Sequence, residues 1–335
     1  MKNGLLLINL GTPERPDVAG VRRYLREFLA DRRVISLPSP LRYLLLYLFI
    51  LPFRPKSTAH AYQAIWTPEG SPLLINSQRL AAKLQQRLGD SWQVALAMRY
   101  GNPSIMAALN ELSTCEQLTV LPLYPQYSSA ATGSSIEEIM RLMAPQTNFP
   151  SLKIIRDFYQ HPGFIAAQAQ LIKPHLIDHD YLLFSYHGIP EQHIERSGCA
   201  KVCQESCPPI SVVNQTCYKA QCHETTKQLA RVLDIPEEKY CLSFQSRLGK
   251  TPWIKPYTDM ILPQLAKQGI KRLVVSCPSF VADCLETVEE IGMRAQQQWQ
   301  DLGGEQLTLI PCVNDSPLFV EAVIDICGLD RLNNQ

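Results

Sequence analysis

No stretch of this 335-residue chain offers the roughly 20 consecutive apolar residues that a membrane-spanning helix needs. The most apolar segment runs from Pro40 to Phe53, and Arg42 and Pro52 hold it to about ten residues. Charge of one sign is also missing. The net charge is +1, which removes the basic footprint of a generic nucleic-acid binder, so no nucleic-acid partner is expected. The chain has neither a P-loop nor a G-x-G-x-x-G fingerprint; Gly11-Thr-Pro13 reads as a tight turn and not as a phosphate cradle. It has no G-x-S-x-G elbow, which weakens a hydrolase reading. There is no internal repeat and no low-complexity linker. No secretory-type segment opens the sequence, because Met1-Lys-Asn-Gly leads at once into the strand-length run Leu5–Asn9. The expected compartment is the cytoplasm, where eleven cysteines do not form a disulfide framework.

What is present is core material: 46% hydrophobic residues against 19% charged. A chain of this length exceeds what one core usually supports, so two domains are expected. Short apolar runs predict strands at 4–10, 93–98, 118–124, 152–155, 181–186, 240–244, 272–277 and 306–310. Between them apolar residues recur at three- and four-residue spacing, as in Val18, Val21, Leu25, Phe28 and Leu29, in Leu80, Leu84 and Leu88, and in Leu229 and Val232; these stripes are expected to face the core. Repeated βα units imply parallel sheets covered by helices. Eight strands could close one barrel, but uneven loops and interrupted helical stretches favour two doubly wound halves. The expected division is 1–120 plus 312–335 for the first domain and 121–311 for the second. A serine cap is expected within Thr132-Gly-Ser-Ser135.

Polar residues gather where the strands end, which suggests a pocket between the halves. The sharpest case is Phe184-Ser-Tyr-His-Gly-Ile-Pro190, a buried strand that delivers His187 to the rim of its sheet. A second rim, Ser276 to Glu290, supplies Glu286, Glu289 and Glu290. An imidazole and a carboxylate facing one cleft can hold a divalent metal or move protons. Glu286 and Glu290 stand four apart and can share a helix face, where like charges would raise one carboxyl pKa. The plain alternative is a helix amino terminus enriched in acids. Cys277 and Cys284 near Glu286 are the only hint of a thiol nucleophile. Cys199, Cys203, Cys207 and Cys217 form a thiol cluster suited to a soft metal, with [2Fe–2S] and structural zinc both open on spacing alone.

Taken together, Asn9-Leu-Gly-Thr-Pro13, Gly70-Ser-Pro-Leu73, Met98-Arg-Tyr-Gly101, Leu121-Pro-Leu-Tyr-Pro-Gln126, Phe184–Pro190, Ser243-Phe-Gln-Ser-Arg247 with Trp253, and Pro278–Glu290 resemble the ferrochelatases, which insert ferrous iron into protoporphyrin IX to make protohaem. The resemblance spans Leu5 to Glu290. It implies two Rossmann-like domains, each a parallel four-stranded sheet flanked by helices, with porphyrin and Fe²⁺ as substrates. It implies that His187 and Glu286 are the metal-site pair, with Glu289 and Glu290 behind Glu286. It places Arg54, Tyr62 and Ser71 near the propionates, Arg99 and Tyr100 at the pocket wall, and Leu10 over the ring face. The 40–53 segment becomes a hydrophobic lip, with peripheral contact at the inner membrane, in place of a core helix. The loop of 199–222 resembles the internal cysteine segment of ferrochelatases that carry a [2Fe–2S] centre. That makes Cys199, Cys203, Cys207 and Cys217 the ligands and leaves Cys222 an ordinary helix residue. Coproporphyrin ferrochelatase, cobalt chelatase, a non-catalytic haem carrier and an iron–sulfur sensor remain the alternatives, with monomer and homodimer both open.

Overall fold

The computed structural model describes residues 2–199, 202–204, 207–249 and 251–329. The chain divides into two compact units, one of Met1–Tyr124, Ser128–Asp157 and the residues from Ile324 on, the other of Pro125–Tyr127 and Phe158–Val323. All eight expected strands form, and they make two sheets.

The first unit runs β1 (Asn3–Gly11), α1 (Val18–Ala30), α2 (Ser39–Leu45), α3 (Leu51–Ile65), α4 (Pro72–Leu88), β2 (Trp92–Tyr100), α5 (Ile105–Glu111), β3 (Gln117–Pro122), α6 (Ser134–Met143) and β4 (Ser151–Ile154). Its sheet is parallel in the order β2-β1-β3-β4. Central β1 is apolar on both faces, with Leu5, Leu6, Leu7 and Ile8 all at 0% exposure, as a doubly covered parallel strand requires. Gly11 ends it at φ 112, and a Cβ there would stand 1.8 Å from the Tyr100 carbonyl oxygen. Only glycine permits that turn.

The second unit runs α7 (Pro162–Ile172), β5 (Tyr181–His187), α8 (Glu191–Arg196), α9 (Tyr218–Leu233), β6 (Tyr240–Gln245), α10 (Thr258–Lys267), β7 (Arg272–Ser276), α11 (Gln296–Asp301), β8 (Gln306–Leu309) and α12 (Pro317–Cys327), with the division of the chain passing through α12. Its sheet is parallel in the order β6-β5-β7-β8, the same winding as the first. In each sheet the strand order reverses beside the unit's first strand, between β1 and β3 and between β5 and β7. In open α/β sheets the crevice outside the carboxyl ends at such a reversal is where ligands bind.

Four expectations need correction. The change of unit does not fall near Leu121: β3 and β4 both pair into the first sheet, because β4 takes its register from β3 (Gln117↔Ser151 to Val120↔Ile154). The cap before α6 is Ser128, whose hydroxyl accepts from the Ala131 amide at 3.2 Å; a π-helical turn, Ser129–Gly133, carries the helix back past the serines expected to start it. Val18 and Val232 are 39% and 57% exposed, so they do not face the core. The buried stripe of α9 is Cys222, Thr225, Thr226, Leu229 and Ala230, and Val232 lies beside it.

The fourth concerns 40–53. Pro52 does not end the helical run: it stands in the first turn of α3, which follows α2 through a π-helical segment, Leu46–Ile50. Only Arg42, Leu46 and Leu51 are buried there, while Leu41, Tyr43, Leu44, Tyr47, Leu48, Phe49 and Phe53 are 45–75% exposed. This is not a core helix. Among the described residues no helix is long and apolar enough to cross a membrane.

Candidate active site

His187 is the last residue of β5, paired with Gln245 at the end of β6. Gly188 lets the two strand ends close, since a Cβ there would stand 2.9 Å from the Gln245 carbonyl oxygen. The backbone of His187 is held on both sides: its amide donates to the Ser279 hydroxyl at 2.9 Å and its carbonyl accepts from the Tyr218 hydroxyl at 2.7 Å. Its ring lies 6.1 Å from Phe280 and 6.4 Å from Trp253, centroid to centroid. Nδ1 is 2.5 Å from the Gly188 carbonyl oxygen. A carbonyl can only accept, so Nδ1 carries a proton and Nε2 is the nitrogen left for proton transfer or a metal.

Glu286 opens an 11-residue π-helical segment, Leu285–Ala295. Such segments are usually single turns, and they recur at functional sites. The carbonyl of Glu286 accepts from Gln245 Nε2 at 2.6 Å. Gln245 is aimed by a buried hydroxyl chain: its Oε1 accepts from Ser185 at 2.7 Å, Ser185 meets Thr258 at 2.9 Å, and Thr258 meets Ser243 at 2.8 Å. A satisfied buried network of this kind rigidifies what it touches. The start of the acidic segment is thus tied to the strand beside His187.

Glu290 receives two hydrogen bonds from Ser246, 2.8 Å from its amide and 2.5 Å from its hydroxyl. Ser246 sits at φ 65, the left-handed turn that brings both donors onto one carboxylate. Burial raises the Glu290 pKa above 4.5 and the charge of Glu286 adds to the rise, against the Ser246 bonds and His187. His187 and Glu286 therefore both act electrostatically on Glu290. Glu289 points elsewhere, its carboxylate accepting from Arg294 at 2.9 Å.

Cys277 and Cys284 are fully buried, and burial pushes both thiols well above 9, with nearby carboxylates adding to the rise. A thiol kept protonated and out of solvent is no nucleophile, which removes the structural basis of the hydrolase alternative.

The residues assigned to the first unit divide in two. At the end of β1, Leu10 is half-buried; Asn9 Nδ2 donates to Ser77 at 3.1 Å and the Thr12 hydroxyl donates to Ser71 at 2.8 Å, tying the strand end to α4. On α3, Arg54 is half-buried and Tyr62 is buried against Trp66. Arg99 and Tyr100 join a buried hydrogen-bond network. Arg99 donates to Asp31 at 2.9 Å and to the Ser134 hydroxyl at 2.7 Å, and Tyr100, at 0% exposure, donates to Asp31 at 2.8 Å. Burial raises the Asp31 pKa, but the bonds from Ser134, the Arg33 amide, Tyr100 and Arg99 together bring it below 3.8. Burial first, and then the Asp31 charge, raise the Tyr100 phenol. Arg32 and Arg33 together hold Glu137 on α6 nearby.

The cysteine loop joins α8 to α9. Cys199, Cys203 and Cys207 are half-buried, Cys217 is buried at the amino terminus of α9, and Cys222 is at 0% exposure within that helix. Cys207 and Cys199 both hydrogen-bond to Cys217, and Cys203 acts electrostatically on Cys207. The Cys207 bond is the largest influence lowering the Cys217 pKa to about 6, helped by the Ala220 and Lys219 amides and Cys199 against burial. Its partner Cys207 is raised, first by that same bond and then by burial. Among the described residues no three His, Cys, Asp or Glu side chains are grouped so as to hold one metal ion.

The ferrochelatase family model matches residues 2–328. The chain belongs to the ferrochelatase family. It is 58% identical over 326 residues to the ferrochelatase of Legionella pneumophila strain Corby, covering 97% of this chain and 98% of that one. To the ferrochelatase of Coxiella burnetii strain Dugway 5J108-111 it is 51% identical over 329 residues, covering 96% and 92%. The fold agrees with solved chelatases. SirB from Bacillus subtilis with Fe³⁺ superposes at a TM-score of 0.54 and 11% identity, over 98% of this chain and 96% of that one. The sirohydrochlorin chelatase SirB in complex with cobalt, from B. subtilis subspecies spizizenii, gives 0.52 at 10% identity, over 98% and 94%.

Sequence reasoning named His187, Glu286 and Glu290 but missed their supports. Ser246, Gln245 and Ser279 lay inside the quoted motifs and could have been singled out there. Tyr218, 31 positions from the carbonyl it holds, carried no local signal.

Proposed function

We propose that this chain inserts ferrous iron into protoporphyrin IX, releasing two protons and protohaem. The observation that carries the reading is His187 at the end of β5, its Nδ1 spent on the Gly188 carbonyl so that Nε2 is the nitrogen left to work, with a Glu290 of raised pKa that both His187 and Glu286 act on. Iron can enter only as both pyrrole N–H protons leave. The Nε2 lone pair of His187 takes one, a role suited to neutral imidazole. Glu290, more basic than an ordinary carboxyl, passes a proton outward through the acidic segment. Glu286 is the carboxylate partner for incoming Fe²⁺, since oxygen and imidazole ligands both suit that ion. Arg54 takes a propionate and Leu10 meets the ring face; Arg99 and Tyr100 stiffen the first unit without touching substrate. The deciding assay is anaerobic, with Fe²⁺ and either protoporphyrin IX or coproporphyrin III, read by loss of porphyrin fluorescence. Faster turnover of protoporphyrin is expected. Preference for coproporphyrin would change the assigned substrate, and tight haem binding without turnover would make the protein a carrier.

The exposed face of Pro40–Phe53 is a membrane-contact lip. Exposed apolar surface of this kind marks an interaction site, and the nearby Lys56 suits anionic headgroups. On this reading the protein is cytoplasmic and peripheral at the inner membrane. A Phe49→Ser, Phe53→Ser double variant should sediment less with anionic vesicles than the wild type; equal sedimentation would remove the lip from membrane binding.

Cys199, Cys203, Cys207 and Cys217 are read as ligands of a [2Fe–2S] cluster. The donor set is four thiols of one loop: Cys199 and Cys207 both hydrogen-bond to Cys217, whose pKa is lowered to about 6, and Cys203 acts electrostatically on Cys207. When bound, the cluster supplies one-electron redox capacity. The loop's own residues bind it and hold it against α9. Cys203→Ser should lose the visible absorption, iron and acid-labile sulfide of the anaerobically isolated protein; retained absorption would show the ligands misassigned.

A further inference from the structure

Lys219, in the first turn of α9, is 1% exposed. Its Nζ donates to the carbonyl oxygens of Cys203 at 2.6 Å and Gln204 at 3.4 Å. Among the described residues no carboxylate forms an ion pair with it. A lysine this deeply buried is almost always paired, because an uncompensated ammonium in a low-dielectric interior is costly. Among the described residues, the acidic groups its charge is seen to act on are thiols. Its charge reaches the side chains of Cys207 and Cys222. The same charge, second to burial, contributes to lowering the imidazole of His223, one turn further along the helix, to about 4.

We propose that Lys219 is the charge-balancing residue of the cysteine loop: its ammonium pins the backbone at Cys203 and Gln204 and offsets the thiolate charge, so that a cluster bound there is easier to reduce. The proposal rests on the reading of the four cysteines as cluster ligands. Reduction of [2Fe–2S]²⁺ to [2Fe–2S]⁺ adds one electron and no proton, so it deepens the negative charge of a tetrathiolate site. A fixed cation in contact with the loop stabilises the reduced state more than the oxidised one.

The test is an anaerobic redox titration of the full-length protein with dithionite as reductant, followed by electron paramagnetic resonance, on the wild type and on Lys219→Arg, Lys219→Gln and Lys219→Met. Iron and sulfide content is measured first. The arginine variant is expected to titrate within about twofold of the wild type. The two neutral variants, loaded equally, are expected to show a tenfold or larger fall in the reduced-to-oxidised ratio at fixed potential, a shift of 59 mV or more for one electron. Neutral variants that titrate with the wild type would overturn the proposal. If the neutral variants fold, by circular dichroism, but hold no cluster while the arginine variant does, the charge requirement stands. If the arginine variant is also empty, the position serves shape and not charge, and the proposal falls. A wild-type protein without iron and sulfide beyond its porphyrin substrate would instead sink the cluster reading itself, and Lys219's role with it.

Discussion

His187→Ala is expected to lower iron insertion by at least about a hundredfold, the usual worth of a positioned general base. Porphyrin affinity should stay within a few-fold, because a large apolar ring is held by its walls and not by one imidazole. The fold should survive. The supports of this position act on its backbone, Ser279 on the amide and Tyr218 on the carbonyl, and alanine keeps both groups. The measurements are the fluorescence assay for turnover and porphyrin fluorescence quenching for affinity. Near-normal turnover in this variant would remove the central assignment. A fall in turnover matched by an equal fall in affinity would make the ring a binding group and not a base.

Asp31→Asn is expected to have the largest effect on stability, about 3–5 kcal/mol, the range seen when one partner of a buried pair is removed. The side chains of Asp31 and Arg99 are only 8% and 14% exposed, so solvent screens the pair little. The Asp31 carboxylate also accepts from Tyr100 at 2.8 Å, Ser134 at 2.5 Å and the Arg33 amide at 2.7 Å. The amide of asparagine keeps one acceptor oxygen, loses the charge, and turns an NH₂ toward groups that are themselves donors. The pH dependence has a definite sign. Because the folded pKa lies below 3.8, the stabilisation is complete above that value and is lost as pH falls through the depressed folded pKa. Urea unfolding at neutral pH should show the full deficit, and the gap between wild type and variant should narrow in acid. A deficit under about 1 kcal/mol, the level of an exposed pair, would mean that the network is looser than its geometry.

The extent to which each feature was legible follows from the range of the interactions behind it. Strands such as Leu5–Leu10 announce themselves because a parallel strand covered on both faces must be apolar throughout, which is a local requirement. His187 was legible for a related reason: an apolar run that stops at Ser-Tyr-His before Gly188 and Pro190 has no packing explanation for its imidazole. The serine cap was misplaced by a few residues because a π-helical turn at Ser129–Gly133 has no distinct apolar period. The lip read first as core because hydropathy measures composition, and only α2 and α3 decide which side of an apolar helix meets solvent.

The unit boundary shows the limit more sharply. Nothing local to Ser151–Ile154 says whether it pairs with β3 or with β5; that choice is made by register with Gln117–Val120. The resemblance set Arg99 and Tyr100 at the pocket wall; the partners that hold Arg99, Asp31 and Ser134, stand 68 and 35 positions away and were not legible locally. Nothing local marks Lys219; the carbonyls it bonds belong to Cys203 and Gln204, 16 and 15 positions away. Residue types, strand positions and the imidazole at a strand end are matters of local hydrophobic pattern, and the chain alone dictated them. Which carboxylate is basic, which arginine is engaged and which lysine is buried depend on groups brought together from distant positions, because burial and charge act through space and not along the backbone.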